Sequence, residues 1–133
     1  GFEAEPDGRS EGTYSKYASL DDKLAGYHNY FAYIKFGLGR ATSDAAHEIR
    51  DGHITREEGV ALVNKFDGEF PRRFLPELLK YLSLSKKDFP KASQMFEEEE
   101  LSETYFNDLC NKFRSPHLWY FENNKWYLRN PLK

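Results

Sequence analysis

Apolar side chains recur along this chain at intervals of three and four residues, the repeat that gathers them onto one stripe of a helix. Leu20, Leu24, Tyr27, Phe31 and Ile34 make the first stripe. Ser19 is placed to cap it, Asp21 and Asp22 suit its first turn, and Gly37 and Gly39 stop it, which predicts a helix over about residues 20–36. A short second helix runs from Thr42 or Ser43 to Asp51, with Ala45, Ala46 and Ile49 inward and Gly52 as its stop. Thr55-Arg56-Glu57-Glu58 has the form of a capping box, opening a helix whose stripe is Gly59, Leu62, Val63 and Phe66 before Gly68. Leu75, Leu78, Leu79 and Leu82 repeat behind Pro76, a residue that suits a first turn because its missing N–H has no partner there. Ser85-Lys86-Lys87-Asp88 starts a further candidate, with Pro90 in its first turn and the acidic run Glu97 to Glu100 as a solvated tail. Ser102 caps a last helix carrying Tyr105, Phe106, Leu109 and Phe113 inward.

At the C-terminal end the period changes. Leu118-Trp119-Tyr120-Phe121 and Lys125-Trp126-Tyr127-Leu128 flank Glu122-Asn123-Asn124, and asparagine tolerates the positive φ of a tight hairpin turn, so a small β-hairpin is expected. Residues 1–18 carry three glycines, a proline and no sustained repeat, and read as a loop or arm. Fourteen leucines stand against five β-branched aliphatics, which leaves little material for a larger sheet. The expectation is a mainly α domain of about five to six helices with a C-terminal β-hairpin, spanning residues 19–133 behind the arm.

Composition narrows the function classes. With 39% hydrophobic and 31% charged residues the 133-residue chain carries enough apolar side chains for one core, and no run approaches the ~20 apolar residues of a membrane span, so no membrane insertion is expected. A formal net charge of -3 gives no global attraction to nucleic acid, which is not expected as a partner. The single cysteine, Cys110, cannot form an internal disulfide, fits a reducing compartment and falls beside a buried stripe as a core residue. A chain opening at Gly1-Phe2, with no basic-then-apolar leader, reads as an excised piece of a longer cytoplasmic polypeptide.

Asp51-Gly52-His53-Ile54-Thr55 up to Glu58 mimics the second half of a calcium-binding EF-hand loop. Counting back puts His47 and Ile49 at the first and third ligand positions, where a hard cation needs oxygen, so the segment reads instead as a helix stop followed by a capping box. His28, His47, His53 and His117 form no compact pair on one helix, and no metal site is expected. The signal above background lies between Arg40 and Glu58. About 100° per residue puts Asp44, His47, Glu48 and Asp51 on one face of the short helix, opposite Ala45 and Ile49. That face is either exposed surface with a helix–helix salt bridge or a site. In the second case Arg40, after two glycines, offers a guanidinium to a phosphate or carboxylate while Asp44 holds or orients a sugar. The arm from Gly8 to Lys16 has the composition of a phosphate-contacting loop or lid.

At these residues the chain resembles the N-acetyl sugar amidotransferases of bacterial surface-polysaccharide biosynthesis, including lipopolysaccharide and O-antigen, which are enzymes of the PP-loop ATP pyrophosphatase type. The resemblance is carried by Gly8-Arg9-Ser10-Glu11-Gly12-Thr13-Tyr14-Ser15-Lys16-Tyr17, by Ile34 through Asp44 with its Gly37-Leu38-Gly39-Arg40, and above all by Ile49-Arg50-Asp51-Gly52-His53-Ile54-Thr55-Arg56-Glu57-Glu58. It implies an activity in which ATP, with magnesium, adenylates the acetamido oxygen of a nucleotide-linked N-acetyl sugar. Ammonia from a partner glutaminase subunit then displaces AMP to leave an acetamidino group. It also implies that Arg40, Asp44 and the arm around Lys16 face the active site. With Glu48 on the same polar face, these are the candidate substrate-binding residues, and no catalytic base is singled out.

The Ser-Gly-Gly-x-Asp-Ser pyrophosphate loop of PP-loop enzymes is absent from these 133 residues. The expectation is therefore a C-terminal helical domain of such an enzyme, inactive by itself. A noncatalytic helical interaction module and, against the net charge, an RNA-binding appendage are the alternatives.

Overall fold

The computed structural model describes residues 8–17, 22–82 and 102–133. Among these, five helices precede one hairpin: α1 (Ala25–Phe36), α2 (Arg40–Arg50), α3 (Arg56–Phe66), α4 (Leu75–Leu82), α5 (Glu103–Lys112), β1 (Trp119–Glu122) and β2 (Lys125–Leu128). The chain is mainly α, as its leucine stripes predict. The candidate helix opening at Ser85, and Ser19 and Leu20 at the expected start of α1, lie outside the described residues.

α1 starts later than its stripe suggests. The Leu24 N–H donates to Asp22 Oδ1 at 2.8 Å, a local turn that competes with helix, and the helix begins at Ala25. Its buried face is Gly26, Tyr27, Tyr30 and Ile34, whereas Leu24 and Phe31 are 44% and 43% exposed. The inward face thus keeps Tyr27 and Ile34 from the expected stripe but takes Tyr30 in place of Phe31, Tyr30 being the one that belongs to the core cluster.

The Arg40 start of α2, two residues earlier than Thr42, is set from outside the helix. Asp67, just past α3, accepts from the Gly39 N–H at 2.9 Å and from Thr42 Oγ1 at 2.5 Å, capping α2 with a side chain distant in sequence. Ala41 and Ala45 are buried; Ala46, expected inward, is exposed, about 100° round the helix from Ala45 and about 60° from Ile49, the positions that meet α3. The two helices pack closely at Gly59, where a Cβ would stand 2.6 Å from Ile49 Cδ1 and 3.6 Å from Ala45 Cβ.

The segment that mimics an EF-hand is a stop and a start. His53 N–H bonds to Glu48 O at 2.9 Å and Gly52 N–H to Ile49 O at 3.1 Å, with Gly52 at φ 76°, the left-handed stop of a Schellman motif. Thr55 Oγ1 then accepts from the Glu58 N–H at 3.2 Å while the Glu58 carboxylate accepts from the Thr55 N–H at 2.8 Å, the reciprocal bonds of a capping box.

Tyr27, Tyr30, Ile34, Leu75, Leu78, Phe106 and Cys110 form the core, with Phe70, Phe74, Leu79 and Leu82 packed against it. The Phe106 ring on α5 meets Tyr27, Phe31 and Phe70 at centroid distances of 6.3, 5.9 and 6.3 Å. Ser102 caps α5 through the Tyr105 N–H at 3.1 Å. The helix ends at Lys112, so Phe113, expected inward, sits at the C-cap and is 58% exposed. β1 and β2 pair antiparallel around Asn123 and Asn124, both at positive φ, as the turn sequence predicts. Trp119 anchors the hairpin: its Nε1–H donates at 2.8 Å to Ile34 O, a carbonyl left free at the end of α1.

Candidate functional site

Residues 8–17 are sewn onto the helices as an arm. Arg9 makes a bidentate pair with Glu69, Nη1 to Oε2 at 2.6 Å and Nη2 to Oε1 at 2.8 Å, and its guanidinium lies 4.4 Å from the Phe66 ring centroid. The Gly12 N–H adds a third bond to Glu69 at 3.1 Å. Burial alone would raise the Glu69 carboxyl, but the bonds from Arg9 and Gly12 outweigh it and hold the group below its ordinary value of 4.5. The same hydrogen bond raises the Arg9 guanidinium. On the other side the Arg73 N–H donates to Glu11 Oε1 at 2.8 Å, and Asn29 Nδ2 donates to Glu11 O at 3.0 Å. Gly12 takes a φ of 86° in the turn, where a Cβ would stand 2.8 Å from Asn29 Cβ, so glycine is required both for the backbone and for the space.

The next two arm residues meet the polar face of α2. Thr13, fully buried, donates from Oγ1 to Asp44 Oδ2 at 2.6 Å and accepts from the Ser15 N–H at 3.2 Å. Tyr14 donates from its hydroxyl to Glu48 Oε2 at 2.8 Å, and its ring rests on Phe66 with centroids 6.1 Å apart. Burial, then the bond to Glu48, pushes the Tyr14 hydroxyl well above its ordinary value, so at neutral pH it remains a donor. On α2 itself Arg40 Nε donates to Asp44 Oδ1 at 2.9 Å, an i,i+4 ion pair.

Three of the four candidate residues therefore share one face: Arg40, Asp44 and Glu48 lie in line along α2, Asp44 and Glu48 bonded to the arm and Arg40 to Asp44. Lys16 does not join them. The chain turns at Ser15, whose Oγ accepts from the Tyr17 N–H at 3.3 Å, and Lys16 is exposed with no hydrogen bond or ion pair to the other three. His47 and Asp51 also remain exposed, so the polar face is divided between a covered pair, Asp44 and Glu48, and an open pair. Thr13, Tyr14 and Glu69 are the site residues that sequence reasoning missed. The signal available was two donors in succession on the arm and two carboxylates one helical turn apart on α2, but nothing in the sequence pairs them.

The arrangement presents a guanidinium and a carboxylate on one rigid scaffold, suited to a ligand with both anionic oxygens and hydroxyl donors. At the start of α2 the Gly39 N–H is taken by Asp67 and the Ala41 N–H by Gly12 O at 3.0 Å. No three His, Cys, Asp or Glu side chains converge among the described residues. Among these residues, too, no helix is long and apolar enough to cross a membrane.

Comparison with known proteins agrees with the motifs. No curated protein matches the chain. The family model described as the C-terminal domain of WbpG-like LPS biosynthesis proteins matches residues 11–133, from the second half of the arm through the hairpin. The chain belongs to this family of LPS biosynthesis proteins, as a WbpG-like C-terminal domain.

Proposed function

We propose that this domain supplies the nucleotide-sugar side of an N-acetyl sugar amidotransferase that makes acetamidino sugars for surface polysaccharide. The observation that carries the reading is the pairing of Thr13 with Asp44 and Tyr14 with Glu48 beside the Arg40 guanidinium. In this reading Arg40 binds the phosphates and Glu48 a sugar hydroxyl, and Asp44 fixes the arginine. ATP activation with magnesium belongs to a PP-loop part of the enzyme, and ammonia comes from a glutaminase partner, all in the cytoplasm where ATP is available. The family membership supports polysaccharide biosynthesis, and the likeness of the Arg40 and Ile49–Glu58 motifs supports the amidotransferase reading.

The test is steady-state kinetics of the full-length protein with ATP, ammonia and its nucleotide sugar. Arg40→Ala and Asp44→Ala are each expected to lower amidotransfer by at least about tenfold, the factor for roughly 1.4 kcal/mol of transition-state stabilisation. Unchanged kinetics in both variants would remove the site from the reaction.

A second reading, a noncatalytic interaction module, is favoured by the hairpin, whose Tyr120, Phe121 and Tyr127 are exposed. Alanine at Phe121 and Tyr127 distinguishes the two, because an interaction module loses its partner while a substrate domain keeps its sugar affinity.

A further inference from the structure

Asp44 has no oxygen to spare. Oδ1 accepts from Arg40 and Oδ2 from Thr13, whereas Glu48 uses only Oε2, for Tyr14. Glu48 Oε1 and the two terminal nitrogens of Arg40 have no partner among the described residues, and 46% of the Arg40 side chain is exposed. These are the atoms on this face that can meet a ligand. They stand eight residues apart on α2, about 12 Å along the axis at 1.5 Å per residue, a span that a pyranose and its attached diphosphate cover.

Charge fixes which end is which. A guanidinium pairs with phosphate oxygens, while a carboxylate repels them and takes hydroxyl donors. Long side chains such as Arg and Glu bind well only when their rotamers are already held. Here the holding is done by two neighbouring arm residues, each acting on one end: Thr13 through Asp44 on Arg40, and Tyr14 directly on Glu48. Building on the site assigned under Proposed function, we propose that Thr13 and Tyr14 are positioning residues that orient a sugar diphosphate along α2. The phosphates lie on the terminal nitrogens of Arg40, a sugar hydroxyl donates to Glu48 Oε1, and Asp44 itself touches no ligand.

Calorimetric titration of the full-length protein with UDP and with UDP-N-acetylglucosamine tests this through an end-specific split. Thr13→Val is expected to weaken both probes alike by about tenfold, the scale of one well-placed charged hydrogen bond, with Thr13→Ser restoring them. Tyr14→Phe is expected to weaken UDP-N-acetylglucosamine by a similar factor while leaving UDP unchanged, which a general loosening of the fold would not do. If Thr13→Val and Tyr14→Phe weaken both probes equally, or neither, the positioning roles are overturned even where Arg40→Ala still weakens UDP. If Arg40→Ala leaves both probes unchanged, or the wild-type protein binds neither, the site assignment fails and the positioning roles fall with it.

Discussion

Cys110 and Tyr27 show how far a side chain's surroundings decide its chemistry. The Cys110 thiol is 4% exposed, and burial pushes it up to about 11, so the nucleophilic thiolate is scarce at neutral pH. Ellman's reagent is therefore expected to leave the native protein unlabelled and to react fully once urea unfolds it; rapid native labelling would contradict the packing. The Tyr27 hydroxyl is buried without a hydrogen-bond partner among the described residues, and burial, followed by the nearby Glu11 and Glu77 charges, moves it to about 12. Leaving such a group unpaired costs about 1–3 kcal/mol. Tyr27→Phe keeps the ring against Phe106 and removes the orphan, so urea denaturation should show a gain in stability of about 1 kcal/mol. A loss of stability would reveal a partner for that hydroxyl.

Helix ends were the most legible elements, because their chemistry is local. The capping box at Thr55, the Gly52 stop, the Ser102 cap and the Asn123-Asn124 turn each use groups within five residues of one another, and all are present. Thr55→Ala is expected to cost about 1 kcal/mol in thermal or urea unfolding, the usual loss for an N-cap, and no change would mean that α3 does not depend on its box. Boundaries set by distant residues were illegible. The start of α2 depends on Asp67, and the facing of α1 depends on packing that no three- or four-residue repeat encodes. The same limit divides the candidate site. Arg40, Asp44 and Glu48 are visible as one helical face, but their donors Thr13 and Tyr14 come from 31 and 34 residues away, and Lys16, chosen for its charge, turns outward.

Across the whole molecule the arm joins α1, α2 and the segment between α3 and α4, and its Arg9–Glu69 clamp gives it a pH dependence. The Glu69 carboxyl sits below its ordinary value when folded, so its contribution is complete above about pH 4.5 and is lost as pH falls through the folded-state value. Arg9 stays charged throughout. Glu69→Gln is expected to flatten the fall in stability between about pH 5 and 3 relative to the wild type; parallel curves for the two proteins would show that other carboxylates govern acid unfolding.

The arm's attachments also dictate an order of assembly. Its bonds to Asp44, Glu48, Glu69 and Arg73 close loops of 31 to 62 residues, whereas α2 and α3 are neighbours in the chain and joined by a two-part turn. Loop closure of that length is slow relative to local pairing, and the arm has no surface to dock on until both helices stand together. The arm residues that organise the candidate face on α2 are thus expected to be the last to arrive during folding and the first to leave when the protein opens.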